Sequence, residues 1–273
     1  MRESDRNLDS LTAVDAAHLQ PLSEPEAFAP GANDAATSHS AVFFHAHHAD
    51  PPLEATTAGQ IATPAIISID ETATIPPSGS TLLRDRVLVW LQHNVPEARL
   101  QHILRVERMA VELAEQHQVN RDQAAQAGLM HDLAKFFKPQ RLLDIAQAER
   151  LDLDPVDLAN PHLLHADVGA IVARDEFAIH DAAVLEAIRN HTLGRPGMSA
   201  LSCIVFLADS LEPGRGDTPE LATLRQLSHQ DLHHAVWQTC EDSLRYLIAH
   251  SRLIHPRMIL TRNWAMSLAR QPS

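Results

Sequence analysis

Leu129-Met-His-Asp-Leu-Ala-Lys135 sets a histidine and an aspartate side by side at the end of a helix-patterned run. Neighbours on a helix point about 100° apart, so His131 and Asp132 can serve one ion only near a helix end or in a crevice. Upstream, Asn120 reads as the N-cap of the helix that Ala125, Leu129 and Leu133 continue. Downstream, Pro139 opens another. The same texture spreads outward. Leu82, Leu83, Val87, Leu88 and Leu91 recur at helical spacing until Pro96, and Leu100, Ile103, Val106, Met109 and Leu113 give the next helix, about 97–118, an apolar face. Asn160-Pro161 starts a helix reaching Phe177, Asp181 caps one through Ile188, and 198–211, 229–250 and 256–270 complete the set. With no alternating strand pattern and no internal repeat, residues 81–273 read as an all-α helical bundle of roughly nine helices.

Residues 1–80 differ. They hold 2 arginines, no lysine and 11 acidic residues, a balance of -9 within the chain total of -13, and 8 of the 17 prolines. With no sustained apolar period such a segment buries too little surface to offset its chain entropy, so it reads as a disordered acidic extension. A patch at 60–69 has strand character, and His45, His47 and His48 are more readily composition than a metal site. The acidic balance argues against a nucleic-acid binder. No apolar run approaches the roughly 20 residues of a membrane span, and two cysteines make no disulfide framework. A cytoplasmic protein with no membrane partner is expected.

Around His131-Asp132 stand His102, His165, His191 and Asp209, each beside apolar helix faces where an uncompensated polar group would be costly. Taken with Arg105, Arg195 and Arg215 in the same segments, the order resembles the HD-domain metallophosphohydrolases, and more narrowly the YqeK family. The segments that carry the resemblance are His102-Ile-Leu-Arg-Val106, His131-Asp-Leu-Ala-Lys135, Leu151-Asp-Leu-Asp-Pro155 and Leu163-Leu-His165. His191-Thr-Leu-Gly-Arg-Pro-Gly-Met-Ser199, Leu207-Ala-Asp209, Glu212-Pro-Gly-Arg215 and Leu253-Ile-His-Pro-Arg257 with Asn263-Trp264 follow, so that it spans about residues 82–270. Ala166, Asp167 and Ser210 depart from the usual pattern without removing a metal ligand.

The resemblance implies an HD-domain fold and symmetrical hydrolysis of diadenosine tetraphosphate to two ADP by a hydroxide activated at two divalent ions. Iron is the leading candidate and manganese another. By the same analogy His102, His131, Asp132 and Asp209 hold one ion, and Asp132 bridges to a second bound by His165 and His191. Asp132 and Lys135 are then the catalytic pair. Two alternatives stand beside this activity: hydrolysis of another nucleotide, and a nucleotide-sensing protein without catalysis. The partner expected is a dinucleoside polyphosphate or other nucleotide, with no nucleic acid; a homodimer is one assembly the chain could adopt.

Basic and small residues fit a polyanionic substrate. The chain's two lysines, Lys135 and Lys138, both follow His131-Asp132 closely, and arginine suits bidentate phosphate contact, so Arg105, Lys135, Arg195 and Arg215 are the expected substrate-binding residues. Gly194, Gly197, Gly214 and Gly216 allow tight turns in two motif loops. His162 is a rival ligand, His255 is as readily structural, and Cys203 and Cys240 read as small core residues.

Overall fold

The computed structural model describes residues 79–270, a succession of helices with no strand among the described residues. Apart from Gly79 and Ser80, the acidic extension, its patch at 60–69 and His45, His47 and His48 lie outside the described residues. α1 (Gly79–Asn94) stops before Pro96, and α2 (Glu97–Gln116), α3 (Arg121–Met130) and α4 (Pro139–Ala148) follow. α5 (Pro155–Ala159) and a 3-10 turn (Pro161–Leu164) lead into α6 (His165–Phe177), then α7 (Ala182–Asn190) and α8 (Ala200–Leu211). A second 3-10 turn (Pro213–Arg215), α9 (Pro219–Gln230), α10 (Leu232–Ala249) and α11 (Pro256–Ala269) complete the described chain.

The punctuation works as its chemistry dictates. Asn120 accepts the backbone N–H groups of Asp122 and Gln123 at 2.9 and 3.1 Å, and Asp181 accepts those of Ala183 and Val184. Pro139 occupies the first turn of α4, where its missing N–H costs nothing. Eleven α-helices form among the described residues where roughly nine are expected, because α5 and α9 leave faint patterns. α5 is one turn held by a capping box of Asp154 and Asp157. α9 buries only Leu221, Leu224 and Ser228. The helix expected from Asn160-Pro161 starts as a 3-10 turn and becomes α-helical only at His165.

α8 forms the centre. Every residue from Leu201 to Leu211 is buried, as befits a helix apolar nearly all round, and α2, α3, α7, α9 and α10 pack against it. Burial of Ile204, Phe206 or Leu207 contributes about 1.5–3 kcal/mol each before entropy is charged. That packing fixes the backbone from which Asp209 projects. α3 and α7 also pack together, which brings the C-terminal ends of both toward the same region. No helix among the described residues is long and apolar enough to cross a membrane.

Candidate metal centre

The last turn of an α-helix leaves carbonyls without intrahelical partners. At two helix ends a histidine uses one of them. His131, the C-cap of α3, donates from Nδ1 to the Gly128 carbonyl at 2.8 Å, and His191, the C-cap of α7, does the same to Ile188 at 2.8 Å. His165, the first residue of α6, donates from Nδ1 to the His162 carbonyl at 2.6 Å. A carbonyl can only accept, so each of these rings carries its proton on Nδ1 and presents Nε2 as a lone pair. His102, within α2, reaches the same state through Glu212, whose Oε1 lies 3.0 Å from its Nδ1.

All four Nε2 atoms face Asp132 and Asp209. Asp132 Oδ1 lies 3.3 Å from His165 Nε2 and 3.6 Å from His191 Nε2, while its Oδ2 lies 3.4 Å from His131 Nε2 and 3.9 Å from His102 Nε2. Asp209 Oδ1 is 3.1 Å from His102 Nε2 and 3.8 Å from His131 Nε2. The six residues proposed from sequence thus converge, and all six are buried. Their donor atoms form overlapping groups, each compact enough for one ion: His102–His131–Asp132, His131–His191–Asp209 and Asp132–His165–His191.

Two features fit a cation. His102 Nε2 and His131 Nε2 are buried with no hydrogen-bond partner. His165 Nε2 and His191 Nε2 stand 3.0 Å apart, two acceptors face to face, an arrangement favourable only with a positive charge or shared proton between them. The electrostatics agree. Burial disfavours the charged forms of Asp132 and Asp209, yet both stay well below the usual carboxylate range. His131, Lys135 and Arg99 hold Asp132 there, and Arg215 with His102 and His131 hold Asp209. Burial, reinforced by Lys135, drives His165 down to about 3, so its ring is neutral and able to ligate. Burial opposes protonation of His131, but Asp132 and Asp209 outweigh it and raise its pKa. Nitrogen and oxygen donors without a thiolate suit divalent ions of the iron and manganese kind.

Around the cluster stand residues that hold the ligands in place. Arg215 donates from Nη2 to Asp209 Oδ1 at 2.6 Å and from Nε to the Asp209 carbonyl at 2.8 Å. Arg105 pairs with Glu212, and Glu212 also accepts the Gly214 N–H at 2.6 Å. Burial alone would raise the Glu212 carboxyl, but these donors and His102 lower it to about 2. Gly214 leaves the room Arg105 needs, since a Cβ there would overlap the guanidinium. Arg215 and Arg105 are therefore engaged by carboxylates, where sequence reasoning expected phosphate contacts. Lys135 lies within electrostatic reach of Asp132 and Asp209, and burial lowers it to about 8 against their pull. α3 does not persist to Lys135; residues 131–136 form consecutive turns, with the Lys135 N–H on the Asp132 carbonyl.

Arg195 is not brought to the cluster: its side chain is half-exposed and paired with Glu186 at 2.5 Å. His162 is exposed and contributes its carbonyl, while His255 caps α11 and contacts Asp157 at 3.3 Å. Three neighbours escaped sequence reasoning. Arg99 donates to Asp132 Oδ2 at 3.2 Å, Thr192 Oγ1 lies 3.2 Å from His165 Nε2, and Glu212 orients His102. Arg99 stands three residues before His102 on one helix face, a spacing that could have flagged it. The departing residues are satisfied: Asp167 accepts from Arg257 at 3.2 Å, and Ser210 donates to the Phe206 carbonyl at 2.7 Å. Burial raises Cys203 to about 12 and raises Cys240 as well, so neither thiol is an activated nucleophile.

The chain is similar to several known proteins. The HD domain family matches residues 99–214, from Arg99 through the segment that holds Glu212 and Gly214. The symmetrical bis(5'-nucleosyl)-tetraphosphatase of Bacillus subtilis is 34% identical over 184 residues, covering 67% of this chain and 98% of the relative. The Halalkalibacterium halodurans protein of the same name is 33% identical, covering 66% of this chain and 95% of its own length. Among solved structures, an HD superfamily hydrolase from Clostridium acetobutylicum, described as involved in NAD metabolism, aligns with a TM-score of 0.65 at 34% identity. It covers 67% of this chain and 97% of the other.

Proposed function

The chain belongs to the YqeK family of HD-domain hydrolases, and from that premise we propose that it hydrolyses diadenosine tetraphosphate symmetrically to two ADP. The observation that carries this reading is a buried cluster in which four imidazole Nε2 atoms and two ionised carboxylates face one another.

In this reading His102, His131, Asp132 and Asp209 hold one divalent ion. Asp132 serves the second with His165 and His191, because its two oxygens face the two pairs of rings separately. Such ions supply water acidified to near-neutral pKa and neutralise phosphoryl charge; iron or manganese suits the donors. The chain's own groups do the rest. Backbone carbonyls and Glu212 anchor each ring through Nδ1, so that Nε2 is the atom each ring offers for ligation. Arg99 and Arg215 hold Asp132 and Asp209 ionised and aimed. Lys135 is still mostly protonated at pH 7, and we assign it to the phosphate chain as charge partner beside Asp132. Arg105 and Arg215 act as positioning residues for Glu212 and Asp209, while Arg195, exposed and held only by Glu186, is the arginine free to swing to phosphate.

The test is turnover of diadenosine tetraphosphate by wild type and Asp132→Ala after loading with iron or manganese. Wild type is expected to turn over and the variant to lose activity and one or both ions. Equal activity of the two proteins would refute the site. A panel of other nucleotides, dinucleotides of the NAD kind among them, checks the substrate by catalytic efficiency.

A further inference from the structure

The motif Leu253-Ile-His-Pro-Arg257, which runs from the turn after α10 into the start of α11, takes no part in the metal centre. Leu253 and His255 instead line a cavity of about 430 Å³, where the α5–α6 connection, the loop after His191 and the α10–α11 turn meet. His255 is fixed in that wall by Asp157 and by capping α11 with its Nδ1 on the Arg257 N–H at 3.0 Å. The motif thus builds a cavity.

That cavity is linked to the histidine cluster through residues that neighbour the ligand candidates in the chain. The carbonyl of His162, a lining residue, accepts the Nδ1–H of His165, and Leu193, another, lies two residues beyond His191. The lining has two characters. Leu163, Leu193 and Met258 are buried and apolar. Asn160, His162 and Tyr246 add an amide, an imidazole and a phenol ring whose centroid sits 3.9 Å from that of His250. Among the described residues no carboxylate lines the space, and Arg252 does, so an anionic ligand meets no like charge there. A flat group with apolar faces and a hydrogen-bonding edge matches this combination, and the volume is in the range of small-ligand sites. A hydrocarbon chain would leave the amide and imidazole unused.

We propose that this cavity seats a nucleobase and its ribose, the nucleoside end of a substrate whose phosphates lie at the histidine cluster. The proposal deepens the dinucleotide reading above and rests on it. Tyr246 supplies the stacking face, and Asn160 and His162 the hydrogen bonds to the base edge.

The experiment is calorimetric binding of adenosine and of inorganic pyrophosphate to the full chain, compared among wild type, Tyr246→Ala, Tyr246→Phe and His162→Ala. Adenosine affinity is expected to fall about 5- to 100-fold in Tyr246→Ala, the range of base–aromatic stacking, and to persist in Tyr246→Phe. His162→Ala, at an exposed position safe for folding, is expected to weaken adenosine severalfold. Pyrophosphate should bind all four proteins alike. Adenosine binding that is absent from wild type, or equal in all four, would overturn the cavity assignment. So would equal weakening of pyrophosphate. Adenosine binding that needs Tyr246, in a protein that does not cleave diadenosine tetraphosphate, would leave the cavity standing and remove the substrate reading. Turnover with adenosine indifferent to Tyr246 would do the reverse.

Discussion

Glu212 touches no proposed ion, yet replacing it should cost much of the metal affinity. Its buried carboxylate accepts from His102 Nδ1 at 3.0 Å, from the Gly214 N–H at 2.6 Å and from the Arg105 guanidinium. Glu212→Gln preserves shape but offers one oxygen where two accept. The new NH2 group must face a donor, either the His102 ring or the guanidinium. If it faces His102, the ring is pushed to carry its proton on Nε2, the atom aimed at Asp209. Hydrogen bonds to charged groups contribute about 1.5–3 kcal/mol, a factor of roughly 10–150. Partners that orient metal-ligating histidines typically govern about 10–100-fold in metal affinity. The two estimates coincide, so a loss of about 10- to 100-fold is expected. The assay is competition between the protein and a chelator of known affinity for manganese, with melting temperature recorded on the metal-free forms. Unchanged affinity in a folded Glu212→Gln protein would refute the claim that Nδ1 anchoring sets the ligand geometry.

Three further outcomes follow from the same contacts. Arg99→Ala removes the guanidinium 3.2 Å from Asp132 Oδ2, so turnover should fall at least roughly tenfold, and the acid limb of its pH profile should move to higher pH as the Asp132 carboxyl becomes easier to protonate. Gly214→Ala should drive Arg105 off Glu212 and weaken metal severalfold, with no further loss when combined with Arg105→Ala, a coupling that a double-mutant cycle reads directly. In the metal-free protein, Glu212 is lowered to about 2, so its stabilisation is full above the ordinary glutamate value near 4.3 and fades as pH falls toward about 2. The melting-temperature gap between wild type and Glu212→Gln should accordingly be flat from about pH 5 to 7 and narrow below about pH 4.

Sequence spacing made most of the helices legible because each leaves a local trace, and the order of motifs that resembles the HD pattern singled out the six residues proposed as ligands. Asn120, Pro139 and Asp181 punctuate where their side chains act, and His131-Asp132 sits at a helix end, as neighbours serving one site must. What stayed hidden depends on contacts between distant segments. Glu212 and His102 are 110 residues apart, and nothing in either segment alone shows that a carboxylate orients the ring. The carboxylate partners of Arg215 and Arg105 stayed hidden as well, and show only in the fold. α5 was illegible for another reason: one turn is too short to display a period.

The most direct test of the whole account is product analysis on diadenosine tetraphosphate, with metal content measured on the same sample. ADP is expected as sole nucleotide product, from protein carrying about two divalent ions per chain. AMP with ATP, or turnover undiminished after the metal is stripped, would contradict it.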